Sequence, residues 1–542
     1  MMTQRTRRGI GLVVLAGFFM VAGAQGAAPP NILWISCEDI SANLGCYGDP
    51  HARTPNLDRL ASQGVRFTRA FTPAGVCAVV RSGVITGMYP VAIGSHHMRS
   101  RIVPPPQVRC FTEYLRAAGY YCTNRSKTDY QFDAPVTAWD QQGNRHNDWR
   151  GRAKGQPFFS VVNLTVSHES QIRHGDKRHA DIRSKLAPGQ IHDPDTVATT
   201  LPPYLPDTPA ARKNWAWYHD NISEMDHQAG EILKRLEQDG LADSTLVVFW
   251  SDHGQGMPRG KRWIYESGVH VPVIMRWPGR LEAGTVRQDL VSVLDLPPTM
   301  LSAAGVKVPG YMHGRVVVGK AQPEPKYLFF HRDRMDEAYE LMRGVRDRRF
   351  KYIRNFEPEK TYAQDIDYMD QMPAMQDWRR LRAEGGLTGP QKNWFARPKP
   401  IEELYDIDRD PHEVSNLAAD PAQRDRLARM RQALEKWQVR IGDLGLVPEP
   451  VLMQSMRPGG AWQVTSRPEA QVSAGPDGNG RAVVTLVCAT PGASIAYRHH
   501  GGKARPWKLY ARPLHLAPGT RLEFRAARLG YRDSPLVAVS IP

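Results

Sequence analysis

The sequence predicts an α/β protein: a mainly parallel sheet with helices on both faces, a smaller α+β subdomain, and an appended β-sandwich. Three observations carry this. Short apolar runs alternate with helical patterns from residue 31 onward, the texture shifts at about residue 323 to short strands and charged helices, and residues 481–542 read as short alternating strands between turn residues.

In chain order, Arg5, Arg7 and Arg8 precede an apolar stretch, Ile10 to Ala22, and then small residues around Ala24 and Gly26. This is the pattern of a signal peptide over residues 1–26, too short for a comfortable membrane span. Nothing later resembles a span, so the expected location is periplasmic or secreted.

The main domain is assigned to residues 27–322. "NILWIS" is its first buried strand. "TPNLDRLASQG" follows as a helix with Thr54 as cap, Pro55 in the first turn and Gly64 past the end. "FTEYLRAAGYYCTN" is a helix closing near Gly119 and a strand; "PFFSVVNLT" and "STLVVFW" are further buried strands. Between the last two, Ile222, Met225, Ala229, Ile232, Leu233 and Leu236 recur at helical spacing up to Gly240. Residues 323–446 form the subdomain and 447–480 a Pro- and Gly-rich linker.

At 542 residues and 41% hydrophobic content the chain can bury more than one core. Its net charge of +16 stays strongly positive without the leader's arginines, which suits a polyanionic partner. For an exported chain that is acidic polysaccharide rather than nucleic acid. Six cysteines over this length are not a disulfide scaffold; a Cys110–Cys122 bridge is left open.

In parallel sheets functional groups gather beyond the carboxyl ends of strands. Three strands here run into polar clusters: Glu38 and Asp39; Ser167, His168 and Glu169; Ser251, Asp252 and His253. Glu38, Asp39, Asp252 and His253 make a candidate hard-cation site, because packed carboxylates repel one another unless a cation neutralises them. In "GVCAVVRSGVITG", Cys77 opens a short helix whose free amides favour an anion, with Arg81 one turn along the same face. A thiolate is a soft ligand beside such a hard site, which makes better chemical sense if Cys77 is converted to an oxygen nucleophile.

At these residues the sequence resembles the sulfatase family of the alkaline-phosphatase-like superfamily. The family signature is a cysteine, any residue, proline or alanine, any residue, arginine, then a threonine-glycine pair; here it is Cys77, Ala78, Val79, Val80, Arg81, Thr86 and Gly87. "LGCYGDPHARTPNLDRLASQGVRFTRAF", "GKRWIYESGVHVP", "SKTDY" and "ELYDIDRDPHEVSNLA" extend the likeness from Asn31 to about Ala418. The resemblance implies that a formylglycine-generating or sulfatase-maturating enzyme turns Cys77 into formylglycine. One hydroxyl of its hydrate attacks sulfur, and the second helps eject sulfate. It further implies one Ca2+ held by Glu38, Asp39, Asp252, His253 and the modified Cys77, with Lys127, Lys261 and His168 around the sulfate and Arg81 supporting the diol. The expected substrate is a sulfated carbohydrate carrying an O-sulfate ester or an N-sulfate.

The chain departs from the pattern at Val79, where proline or alanine is usual, at Asp129, where many relatives place a histidine, and at Glu38, usually aspartate. His96 and His97 are candidate substitutes or substrate contacts. Two alternatives stand beside the leading reading. Phosphoester or phosphonate hydrolysis suits the same fold, although Cys77 with Arg81 argues against an ordinary phosphatase. A chain left unmodified at Cys77 would be a non-catalytic binder of sulfated glycans. The tail resembles the chitobiase C-terminal type of accessory sandwich, with Trp507 and Tyr510 as aromatic candidates for sugar stacking.

Overall fold

The computed structural model describes residues 29–143, 147–474, 480–500 and 506–542; the signal-peptide assignment lies outside them. The main sheet is built from β1 (Asn31–Cys37), β2 (Val65–Phe67), β4 (Tyr121–Arg125), β5 (Gln141–Gln142), β6 (Phe158–Leu164), β7 (Thr245–Ser251), β8 (Val273–Arg276) and β9 (Thr285–Arg287), in the order β5-β4-β6-β1-β7-β8-β2-β9. The short β3 (Ala70–Phe71) pairs elsewhere, with Val291–Ser292. From β5 to β7 every pairing is parallel; only β8 runs against its neighbours, so the sheet is mixed but mainly parallel.

Successive side chains on a strand point to opposite faces, and here each face meets its own layer. Leu33 and Ile35 join Val162, Val247 and Phe249 beneath the long helix Pro209–Gln238, through its Ile222, Met225 and Leu233. Ile32 and Trp34 join Phe159, Val161, Val248 and Trp250 on the side of the helix Cys77–Thr86. Strands apolar on both faces read as continuous hydrophobic runs because both are covered. Thr54 precedes its helix as expected, yet its hydroxyl donates to Asp58 and accepts from Gly45 N–H instead of capping the helix.

The second layer is a four-stranded antiparallel sheet, Leu328–Arg332, Met342–Arg346, Phe350–Asn355 and Glu402–Asp406. The helix Arg424–Ile441 covers it, with Trp437 stacked on Phe329 at 4.9 Å. The C-terminal region forms two small antiparallel sheets around Val484, Leu486, Ile495, Leu522 and Phe524. The stretch 447–480 contains a helix, Glu449–Met456, and a strand, Glu469–Ala474, which pairs with Ala482–Val487. None of the six cysteines is joined in a disulfide, Cys110 and Cys122 included. No helix among the described residues is long and apolar enough to cross a membrane.

Candidate active site

Strand register brings the polar clusters together. Cys37, the last residue of β1, sits level with Leu164 of β6 and Ser251 of β7, so the chain segments beyond all three emerge on one rim. There Asp39, Asp252 and His253 each offer a ligand atom, all within 4.8 Å of one another and fully buried. The Asp39 N–H is 3.3 Å from Asp252 Oδ1, and Ser167 Oγ donates to the Glu38 carbonyl at 2.6 Å.

Four cations ring these carboxylates. Arg81 donates from Nε to Asp252 Oδ2 at 3.0 Å and from Nη1 to Asn163 Oδ1 at 2.7 Å, and reaches Glu38 at 3.4 Å. Lys127 Nζ stands 2.5 Å from Glu38 Oε1 and 3.6 Å from Asp129. Lys261 Nζ is 2.7 Å from Asp39 Oδ2, 3.0 Å from His168 Nε2 and 3.3 Å from Glu169. Arg262 grips Glu169 with two hydrogen bonds of 2.9 and 2.7 Å and Asp336 with a third of 2.8 Å. Burial alone would raise the Asp39 carboxyl, but Lys261, His168 and His253 outweigh it and hold it well below the usual carboxylate range. Burial likewise opposes charge on His253, yet Asp39 and Asp252 lift it to about 10. Burial and the Lys261 ammonium push His168 below the ordinary imidazole value. Lys261 Nζ stands 3.0 Å from its Nε2, while its Nδ1 lies 2.9 Å from Ser170 Oγ and 3.2 Å from the Ser170 backbone N–H.

The residues fit a hard divalent cation. His253 Nε2 and Asp39 Oδ1 stand 2.9 Å apart, both buried, without aligning as a hydrogen bond. Asp39 and Asp252 favour a proton on His253 Nε2, and a cation in that proton's place would face a buried imidazole nitrogen and two buried carboxylates, a fitting donor set. The neighbouring Asp39, His168 and Glu169 group also converges, but Arg262 already occupies the Glu169 carboxylate.

Cys77 begins the helix Cys77–Thr86, which Gly87 closes at φ +71°. Its side chain is buried, and it forms part of the floor of a cleft of about 730 Å³ whose walls include Lys127, Asp129, His168 and Lys261. Glu38, Asp39, Asp252, His253 and Arg81 lie directly behind. His96 and His97 do not line the cleft. They are buried against each other, ring centroids 4.3 Å apart, with the His97 Nδ1 accepting from Arg334 N–H. Of the tail's aromatics, Tyr510 packs on the sandwich core, and Trp507 lies by Arg498 and Arg525 with its carbonyl bound to Arg116.

Glu169, Arg262, Asp336, Tyr368 and Trp462 belong to the cleft and were not singled out as site residues from sequence. Glu169 and Arg262 had a signal: each directly follows a candidate site residue, His168 and Lys261 respectively. Asp336, Tyr368 and Trp462 come from distant parts of the chain and had none. Backbone strain marks the site as well. Among the described non-glycine residues with positive φ, Arg99, Ser126, Asp129, Gln131, Arg262 and Asp336 line the cleft, and Asp39 lies behind it. Such conformations persist only where surrounding contacts hold them.

Residues 30–306 match the sulfatase family model, and residues 257–375 that of the N-sulphoglucosamine sulphohydrolase C-terminal region. An ulvan-active sulfatase of Formosa agariphila is 40% identical over 551 residues, covering 94% of this chain and 91% of that protein. Human N-sulphoglucosamine sulphohydrolase is 28% identical over 490 residues, covering 81% and 96%. A solved structure in complex with its substrate D-glucosamine-2-N,6-O-disulfate aligns with TM-score 0.55 and 19% identity, over 77% of this chain and 99% of that one. A phosphonate monoester hydrolase from Silicibacter pomeroyi aligns equally, TM-score 0.55 and 19% identity, over 77% and 97%. The chain belongs to the sulfatase family, the sulfuric ester hydrolases built on the alkaline-phosphatase-like fold.

Proposed function

We propose that this chain is an exported, calcium-dependent sulfatase that hydrolyses O-sulfate esters or N-sulfates of a sulfated carbohydrate through a formylglycine made from Cys77. One observation carries the reading. Cys77 is the point where the cation-ready cluster of Asp39, Asp252 and His253 meets a cleft bearing Lys127, Lys261 and His168. The charged flank of the cleft and the carbohydrate substrates named for the relatives favour a sulfated sugar. Arg5, Arg7 and Arg8 ahead of an apolar run favour export, with maturation of Cys77 by a partner enzyme.

Hydrated formylglycine would supply an oxygen nucleophile, and a calcium ion bound by Asp39, Asp252, His253 and Glu38 would supply positive charge beside it. The chain's own residues do the remaining work. Lys127 and Lys261 stand ready to offset charge gathering on the sulfuryl oxygens, a preorganised contribution that is large in a desolvated site. Arg81 pins Asp252 and Glu38 through its planar fork. Lys261 and His168, 3.0 Å apart on the cleft wall, are the groups placed to hold a proton for the leaving alcohol or amine.

The test is direct. Mass spectrometry of the tryptic peptide Ala70 to Arg81 from the native host should show an aldehyde in place of the thiol at Cys77. The same preparation should release sulfate from an aryl sulfate far faster than phosphate from the matching aryl phosphate. A thiol in the peptide, or preference for the phosphate ester, overturns the proposal.

A further inference from the structure

Resting on that reading, we infer that Trp462 and Arg101 form a second subsite that binds a neighbouring anionic sugar ring of the substrate. The cleft of about 730 Å³ falls in the range of sites that enclose a whole drug-sized ligand, well beyond a sulfate group. Its far wall carries Trp462 together with Arg99 and Arg101. Neither arginine has a carboxylate partner among the described residues, whereas Lys127, Lys261 and Arg262 are all paired. Both are exposed, so their charge faces whatever enters.

The half-buried indole is packed against arginines and the backbone beside it is tied to the sandwich. Arg457, itself buried, lies with its guanidinium 3.5 Å from the Trp462 ring centroid, and it donates to the Arg101 carbonyl at 3.0 Å and the Gly530 carbonyl at 2.9 Å. On the other side of Trp462, the backbone of Gln463 and Thr465 exchanges hydrogen bonds of 2.9 and 3.0 Å with Arg532 of the sandwich. The Arg101 guanidinium stands 5.8 Å from the same ring. An aromatic side chain packs on the apolar face of a pyranose, while a neighbouring guanidinium that has no carboxylate partner recognises a carboxylate or a second sulfate. The pair therefore selects a sugar unit that is anionic, adjacent to the one being desulfated.

The test uses the full-length chain in two forms. Calorimetry with Cys77→Ser protein and a sulfated disaccharide whose neighbouring unit carries a carboxylate should give a Kd about tenfold weaker when Trp462→Ala is added, and Trp462→Tyr should restore it. Arg101→Gln should abolish the preference for that disaccharide over its methyl ester; a disaccharide with a second sulfate in place of the carboxylate reports which anion is favoured. In the matured enzyme, the ratio of kcat/KM on the disaccharide to kcat/KM on an aryl sulfate should fall by a similar factor with Trp462→Ala. Equal affinities, or equal losses on both substrates, overturn the subsite. A matured enzyme that releases no sulfate, yet shows the same affinity losses, sinks the hydrolytic reading and supports the subsite.

Discussion

The Lys261 ammonium lies 2.7 Å from Asp39 Oδ2 and 3.0 Å from His168 Nε2, so one buried cation touches both the carboxylate cluster and the group that faces the cleft. Replacing it with methionine keeps the volume and removes the charge. Lys261→Met is expected to lower kcat/KM by about 10²–10³, the loss usual for a preorganised donor. Steady-state kinetics on an aryl sulfate checks this; a loss below about fivefold would remove Lys261 from the sulfate site.

Glu169 balances Arg262 in the interior, both nearly without solvent contact. Glu169→Gln leaves the Arg262 and Lys261 charges under-compensated, and breaking one side of a buried pair costs about 3–5 kcal/mol. Denaturant melts should show the chain destabilised on that scale. An unchanged midpoint would mean that Asp336 alone suffices to hold Arg262.

Chelation bears on the carboxylate cluster. If a divalent ion binds Asp39, Asp252 and His253 in the native state only, removing it costs on the order of 2–3 kcal/mol at an ion level of about 100 times Kd. EGTA should lower both the thermal midpoint and activity, and calcium should restore both. Asp252→Asn should shrink the calcium-dependent rise in midpoint, which separates ion binding from catalysis.

A buried imidazole sets an acid limit. Burial is the main cause pushing His96, which has no solvent contact, down to about 3. Unfolded imidazoles protonate near pH 6.5. Below that value the unfolded chain binds more protons than the native one, so stability is complete above about pH 6.5 and falls as pH drops toward 4. A loss on the order of 2 kcal/mol between pH 7 and 5 is expected from His96 in urea melts. His96→Phe should flatten the slope; an unaltered slope would assign it to other groups.

The sandwich is seated on the main domain through glycine. A Cβ at Gly530 would meet the Ile102 carbonyl at 2.3 Å, and its φ of +78° disfavours any other residue. Gly530→Ala should loosen this contact by about 1–2 kcal/mol, seen as faster proteolysis between residues 457 and 468. Protection equal to the parent would show that Arg457 and Arg528, which donate to the Gly530 and Pro104 carbonyls, hold the seat without it.

The α/β architecture, the succession of buried strands along the chain and the clusters beyond β1, β6 and β7 were all determined by the sequence alone. The reason is local: a strand covered on both faces must be apolar throughout, and its polar successor announces the rim. The resemblance around Cys77 and Arg81 was equally legible because it lies in one continuous segment. The antiparallel course of β8 was not, since pairing direction depends on partners far away in the chain. Nor were the burial of His96 and His97 behind the cleft, the grip of Arg262 on Glu169 and Asp336, or the arrival of Trp462 beside Arg101. Those outcomes depend on which distant segments pack against one another, and only the closed tertiary structure decides that.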